Sequence, residues 1–253
     1  FGPMADEFGT SRSETALFFA ITTFAYFAIG PFTGRLADRI GPRPVVILGA
    51  VSMVIGLLLT AEVSSIQLGY LTYGLGVGIG VACCFVPMVA TVGGWFVEKR
   101  TLALGLAVAG IGAGTLVLVP IMERVIDAQG WRDAYRVLAI ISGVLLLIAA
   151  VGAYRTPGSV AVPRPIREVI RGRSDFWILY ASSFFMSASL FTVFVFMADY
   201  IDATGSTGSA ALLLGIIGMA SIVGRLALGA FAAKVGIIAL FRWSCLALGL
   251  SFL

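Results

Sequence analysis

Long runs of apolar residues alternate with short polar segments along the whole chain. The runs lack the two-residue alternation of barrel strands, and each has the roughly 20 residues that a helix needs to cross a bilayer core of about 30 Å. The pattern predicts seven complete membrane-spanning helices and the start of an eighth near Gly236. The expected spans are 15–33, 44–61, 66–92, 101–121, 134–154, 176–199 and 209–233.

The composition supports an all-α membrane protein. Hydrophobic residues make up 59% of the chain and charged residues 12%, whereas a soluble domain has about 25% charged residues. The mean hydropathy is +1.03. The absence of histidine disfavours a zinc site or a His-based catalytic pair. We therefore expect no enzyme activity, no metal and no cofactor. Phe1 is not an initiator methionine, so we expect a longer parent protein.

The charged residues predict the topology. If the segment after the first span faces the cytoplasm, alternate loops on that side hold 13 of the 17 Lys and Arg residues and four of the 13 acids. The opposite loops hold four basic and nine acidic residues. This asymmetry follows the positive-inside rule and indicates a multi-pass protein of the cell (inner) membrane rather than a nucleic-acid-binding protein.

One long polar segment divides the chain. Residues 155–175 carry three prolines and five arginines, and we interpret them as a cytoplasmic linker; an ordinary long loop is the alternative. The predicted organisation is an N-terminal bundle at 1–154, the linker at 155–175 and the start of a C-terminal bundle at 176–253. A weak internal repeat supports two bundles related by pseudo-symmetry, since 34–41 recurs in degenerate form at 229–236.

The segment between the first two spans carries the most specific motif. It reads Gly-Arg-Leu-Ala-Asp-Arg-Ile-Gly-Pro-Arg over 34–43. We expect glycine turns in a short connection, with the carboxylate of Asp38 among the arginines, where it can accept charge-assisted hydrogen bonds. The candidate residues of this loop are Gly34, Arg35, Asp38, Arg39, Gly41 and Arg43.

The order of these residues resembles the signature loop between the second and third helices of major facilitator superfamily transporters. The resemblance implies a major facilitator fold. It also implies that this chain is incomplete, covering about helices 2–9 of 12. In such transporters, the loop takes part in conformational change.

Arg225 is the second candidate, because it is the only charge deep inside a predicted complete span. It precedes Lys234 by nine residues, which corresponds to about 13 Å along a helix. A buried arginine costs several kcal/mol unless it is paired or faces water, so it marks a functional site by default. Its planar guanidinium suits a carboxylate ligand. The alternative is an arginine that snorkels to the membrane face or pairs within the bundle.

Further segments resemble the monocarboxylate porter branch, which includes the oxalate–formate antiporter-like proteins. They are 7–14, 95–100, 102–107 and the pair Gly224-Arg225. The resemblance implies that Arg225 binds the substrate carboxylate. In proton-coupled animal members an aspartate lies one turn earlier, where this chain has Ser221.

Glycines are frequent in two predicted helices. Gly74, Gly76, Gly78 and Gly80 lie in one, and Gly105, Gly110, Gly112 and Gly114 lie in the next. Small residues allow helices to approach closely and to slide. We expect tight packing, rocking of the helices, or both.

The predicted function is secondary active transport of a small organic anion, a mono- or dicarboxylate, by alternating access. A coupling proton or counter-anion is the expected second partner. A drug or neutral-solute exporter of the same fold is the main alternative. A seven-helix receptor fits the span count but does not explain the loop at 34–43, and an intramembrane protease would need catalytic residues that these spans lack.

Overall fold

The computed structural model describes residues 2–155, 174, 176–187, 189 and 210–250, and within them the chain forms helices and short connections. The elements are α1 (Gly2–Phe8), α2 (Arg12–Ile40), α3 (Pro42–Ala61), α4 (Ile66–Gly69), a π-helix (Tyr70–Val77), α5 (Gly78–Trp95), α6 (Arg100–Gln129), α7 (Trp131–Val151), α8 (Phe176–Ser187), α9 (Ala210–Val235) and α10 (Ile237–Leu250). The all-α class predicted from hydropathy is confirmed.

Five helical segments of the described chain are long and apolar enough to cross a membrane. They are α2, α3, the continuous segment Ile66–Trp95, α6 and α7, and they confirm the first five predicted spans. Helix α9 covers 210–233 of the predicted span at 209–233, and α10 lies in the run that follows Gly236. Only 176–187 and 189 of the predicted span at 176–199 lie within the described residues.

The chain divides into two compact units. The first is drawn from Phe1–Arg100 and Leu118–Ser159, and the second from Thr101–Val117 and Val160–Leu253. Helix α6 therefore contributes residues to both. The bundles and linker predicted at 1–154, 155–175 and 176–253 stay a prediction, since most of 155–175 lies outside the described residues.

Glycine contacts bring α3 close to the helix formed by the π-helix and α5. A Cβ built on Gly56 would lie 2.9 Å from the carbonyl carbon of Gly76. One built on Gly49 would lie 2.9 Å from the carbonyl oxygen of Gly80. The hydroxyl of Ser52 lies between these contacts and donates to the Gly76 carbonyl at 2.8 Å. Backbone contact of this kind is the packing that small residues permit in membrane helices.

Helix α7 separates a buried face of small residues from an exposed apolar face. Ala139 and Ala150 are buried, and a Cβ built on Gly143 would lie 2.8 Å from Cγ2 of Val54 on α3. The opposite face exposes large apolar side chains: Ile140, Val144, Leu147, Ile148 and Val151. An exposed apolar stripe of this kind suits contact with the hydrocarbon chains of lipid rather than with water.

Candidate functional site

The connection between α2 and α3 is a single residue. Helix α2 continues to Ile40, and α3 begins at Pro42. Gly41 has a φ of +97°, which L side chains rarely adopt, and its N–H donates to the Ala37 carbonyl at 2.8 Å. The predicted turn at Gly41 is confirmed. The predicted turn at Gly34 is wrong, because Gly34 lies inside α2 and nothing between Pro31 and Gly41 stops the helix.

Arg155 covers this connection. Its guanidinium donates a hydrogen bond to the carbonyl of Arg39 in the last turn of α2, and its Nε would lie 3.1 Å from a Cβ on Gly41. A cation at a helix C-terminus is favoured because the last carbonyls lack intrahelical donors. The indole of Trp95 donates to the carbonyl of the neighbouring Tyr154 at 3.3 Å. The end of α7 is thus tied to both α2 and α5.

The charged side chains of the motif form no ion pair with one another among the described residues. Arg35 and Arg39 lie one turn apart on α2, where they line a shallow cavity of about 220 Å³ together with Phe32 and Leu36. Asp38 and Arg43 are exposed. Within the part of the chain that the structure describes, no arginine lies at ion-pair distance from the Asp38 carboxylate. The expected hydrogen bonds to Asp38 stay a prediction.

A second polar group lies at the opposite end of the first unit. The carboxylate of Glu7 in α1 accepts from the indole N–H of Trp131 at 2.7 Å and from the Arg132 guanidinium at 2.7 Å. These two hydrogen bonds, that of Arg132 first, lower the pKa of the Glu7 carboxyl below its ordinary value. Arg132 also donates to the Val63 carbonyl at 3.2 Å. The Glu7 carboxylate therefore joins α1 to α7, and the Arg132 guanidinium joins α7 to the segment that follows α3.

Arg136 extends this group by one turn of α7. Its guanidinium pairs with Glu62 at 2.5 Å and with Asp133 at 2.7 Å. All three side chains are more than 40% exposed, so solvent screens each pair and its contribution to stability is small. The group fixes the geometry of the helix ends more than it stabilises the fold.

Arg225 lies inside α9, in the second unit. Its side chain is half-buried, and its guanidinium donates a hydrogen bond to the carbonyl of Val108 in α6. Among the described residues, no carboxylate lies at ion-pair distance from this guanidinium. The recorded partner is thus a neutral backbone oxygen, and the positive charge of Arg225 is not balanced by a described acid.

Two partners of the candidate residues escape prediction from the sequence. Arg155 belongs to the polar segment after α7, and its contact with Arg39 spans 116 positions of the chain. Val108 presents only a backbone oxygen to Arg225, and no residue pattern signals such a contact. The run of glycines around Val108 is the one sequence feature that indicates close helix approach there.

Comparison with known proteins places the chain among membrane transporters. A family model described as the Major Facilitator Superfamily matches residues 1–253. Monocarboxylate transporter 11 of Homo sapiens is 30% identical over 246 residues, covering 90% of this chain and 50% of that protein. Monocarboxylate transporter 3 of Rattus norvegicus is 30% identical over 247 residues, covering 92% and 50%. The fujikurins efflux protein of Gibberella fujikuroi is 28% identical over 249 residues, covering 95% and 53%.

The chain spans about half the length of the curated relatives it matches. The similarity to monocarboxylate transporters confirms the resemblance to that branch, and the five apolar helices agree with a multi-pass membrane protein. Because the family model matches the chain over its whole length, the chain belongs to the Major Facilitator Superfamily.

Proposed function

We propose that the protein is a secondary active transporter that moves a small organic anion, a mono- or dicarboxylate, by alternating access, and that Arg225 binds the carboxylate. The observation that carries the proposal is the burial of the Arg225 guanidinium together with its hydrogen-bond partner. It is half-buried in an apolar helix, and its recorded partner is the neutral carbonyl of Val108. Such a cation at membrane depth favours an anionic ligand.

The chemistry of the guanidinium supports a carboxylate in particular. The group carries five N–H donors in a planar fork that matches two carboxylate oxygens. One nitrogen donates to Val108, and the remaining donors have no acid partner among the described residues. A carboxylate can therefore approach without displacing a protein ion pair.

The names of the relatives support the same substrate class. Two of them are monocarboxylate transporters, and each matches about nine tenths of this chain. Ser221 lies one turn before Arg225 on α9 and cannot take up a proton as an aspartate can. We propose that the coupling partner is a proton bound elsewhere or a counter-anion.

The α2–α3 connection supports a role in conformational change. Gly41 makes a one-residue turn, and Arg155 bonds to the last turn of α2, so movement of α2 relative to the end of α7 requires this contact to change. We propose that this connection and 155–175 face the cytoplasm of the cell (inner) membrane, in agreement with the excess of Lys and Arg on that set of loops.

Uptake of labelled monocarboxylates and dicarboxylates into proteoliposomes tests the proposal. We expect Arg225→Ala to reduce uptake about tenfold or more, since a charge-assisted hydrogen bond contributes about 1.5–3 kcal/mol. Arg225→Lys should retain part of the uptake, because lysine keeps the charge and loses the fork. Arg242→Ala is the matched control, since Arg242 is exposed on α10. Uptake by Arg225→Ala at the wild-type rate would show that the site is wrong.

The second candidate function is export of a drug or neutral solute. It is favoured by one observation, the 28% identity to a fungal protein named for efflux. Binding of carboxylates, organic cations and uncharged apolar ligands to the purified protein separates the two candidates. Carboxylate binding that requires Arg225 supports the first, and binding of neutral or cationic ligands that is unchanged in Arg225→Ala supports the second.

A further inference from the structure

The Thr101–Val117 part of α6 runs antiparallel to α9 at backbone contact. A Cβ built on Gly112 would lie 2.5 Å from the Gly218 carbonyl oxygen, and one on Gly218 would lie 2.7 Å from the Gly112 carbonyl oxygen. A Cβ on Gly105 would lie 2.9 Å from the Arg225 carbonyl oxygen. The Cβ atoms of real residues essentially never lie this close, within 3.0 Å, to another atom. We call Gly105, Gly112 and Gly218 the glycine seam.

Other glycines of the same two helices lie outside the seam. A Cβ built on Gly110 or Gly114 of α6, or on Gly224 of α9, meets no atom within 4 Å. Helix propensity alone would treat all of these glycines alike, since each costs about 1 kcal/mol relative to alanine. The seam is therefore a property of the contact between α6 and α9, and the open glycines provide matched controls.

Arg225 lies where the seam exposes the backbone of α6. Val108 follows Gly105 by three residues and precedes Gly112 by four, so it lies on the same face of α6. Its carbonyl has a second lone pair besides the one used in the helix. Because glycines flank it on that face, the guanidinium of Arg225 reaches this oxygen.

A backbone carbonyl differs from a carboxylate as the partner of an arginine that binds an anion. A carboxylate partner would orient the guanidinium but would also neutralise it and compete with the substrate. The Val108 carbonyl orients one nitrogen of the Arg225 guanidinium and does not neutralise its positive charge. The contact thus combines a fixed position with an available charge, and both are needed for binding a carboxylate.

We propose that the glycine seam positions Arg225 for its substrate. Gly105, Gly112 and Gly218 hold α9 against the backbone of α6. At this separation the Val108 carbonyl accepts a hydrogen bond from one nitrogen of the guanidinium, and the other N–H groups bind the carboxylate. The inference rests on the proposed function of Arg225. Gly112 and Gly218 are positioning residues that act through the arginine.

The first test compares Gly112→Ala and Gly218→Ala with Gly110→Ala and Gly224→Ala. The readouts are the KM and kcat for organic anion uptake and the rate at which phenylglyoxal modifies Arg225, measured by mass spectrometry. We expect the seam variants to raise KM about tenfold and to speed modification, with little change in kcat, because an arginine that is no longer held binds substrate less well. The two controls should stay within about twofold of the wild type.

The second test leaves every side chain near Arg225 in place. Lactic acid in place of Ala109 turns the Val108 carbonyl into an ester carbonyl, a weaker acceptor, whereas lactic acid in place of Ala107 does the same to the exposed Leu106. We expect faster modification of Arg225 and a higher KM at 109 only. Equal modification rates for the two esters would overturn the inference, even where Arg225→Ala abolishes uptake. Wild-type uptake by Arg225→Ala would instead overturn the proposed function, whatever the modification rates.

Discussion

At the scale of single residues, three of the described arginines differ in their partners. Arg132 and Arg136 each pair with an acid, at 2.7 Å and 2.5 Å. Arg225 is held by a carbonyl, and the described residues provide it with no acid. A paired arginine is already neutralised and serves the fold, whereas an unbalanced one can serve a ligand. The partners of an arginine are therefore a better guide to function than its burial.

Gly41 provides the first prediction at this scale. Its φ of +97° strains any residue with a side chain, and a Cβ there would lie 3.1 Å from Nε of Arg155. We expect Gly41→Ala to lower the free energy of unfolding by about 1–2 kcal/mol, measured by thermal unfolding in detergent. Gly110→Ala is the control, since that position is helical and open. Equal stability of the two variants would contradict the strain at Gly41.

The same turn shows where prediction from sequence stops. Gly41-Pro42 punctuates the chain, and the pair predicts a helix boundary that the structure confirms. Gly34 carries the same residue type, yet it lies in the middle of α2. A glycine permits a turn but does not require one, and the packing of α2 against α5 keeps the helix continuous. Glycine alone therefore does not predict a helix end. The proline that follows Gly41 is the sequence feature that distinguishes it from Gly34.

At the scale of elements, the short helix α1 is attached to α7 by the Glu7 carboxylate. The hydrogen bonds from Arg132 and Trp131 favour its charged form and lower the pKa of Glu7 below the ordinary 4.5. A lowered pKa in the folded state adds stability above the unfolded pKa, and this contribution is lost as the pH falls through the folded pKa. The attachment of α1 should therefore weaken in acid.

The measurement is the melting temperature of the wild type and of Glu7→Gln from pH 7 to pH 3. We expect the wild type to be more stable at neutral pH, and the difference to shrink below about pH 4.5 as the carboxyl takes up a proton. Asp127→Asn is the control, because Asp127 is an exposed acid on α6. A difference between the wild type and Glu7→Gln that is independent of pH would rule out this role of the charge.

The contact between α3 and the π-helix gives a second prediction for elements. A Cβ on Gly56 would lie 2.9 Å from the Gly76 backbone, and one on Gly76 would lie 2.8 Å from Cα of Gly56. We expect Gly56→Ala to cost about 1–3 kcal/mol of stability in thermal unfolding, since two backbones must separate to admit one methyl group. Gly114→Ala should cost nothing, because its Cβ meets open space.

Hydropathy predicts the elements well and their contacts poorly. The five apolar runs correspond to five helices, because lipid leaves a backbone few alternatives. The pattern misses the extension of α6 to Gln129, since its last turns are polar and lie beyond the apolar run. It also misses the bonds of Arg155 and Arg225, because each joins positions more than 100 residues apart. Such contacts depend on how helices pack, which a one-dimensional pattern does not contain.

At the scale of the whole molecule, the charges are distributed by membrane side. The proposed cytoplasmic loops hold 13 basic and four acidic residues, and the proposed outer loops hold four basic and nine acidic residues. The helix ends of the first unit agree with this division. Arg155 lies at the Gly41 turn at one end without an acid partner among the described residues, and three acids, Glu7, Glu62 and Asp133, pair with two arginines at the other. Two opposite ends with different charge are what an oriented membrane protein requires.

Labelling of single cysteines tests this orientation. The native residues Cys83, Cys84 and Cys245 are first replaced by alanine, and then Arg43→Cys or Gln129→Cys is introduced, since both positions are exposed. An impermeant maleimide added to intact cells should label Gln129→Cys, which lies at the proposed outer end of α6. It should label Arg43→Cys, beside the Gly41 turn, only after the membrane is made permeable. Between these two positions the chain crosses the membrane three times, through α3, Ile66–Trp95 and α6. An odd number of crossings places the two positions on opposite faces of the membrane.

Labelling of both positions from outside would contradict this membrane topology, and labelling of Arg43→Cys alone would show that the orientation is inverted. The binding of anions by Arg225 would remain open to the uptake test in either case, because the depth of Arg225 in α9 does not depend on which end faces the cytoplasm.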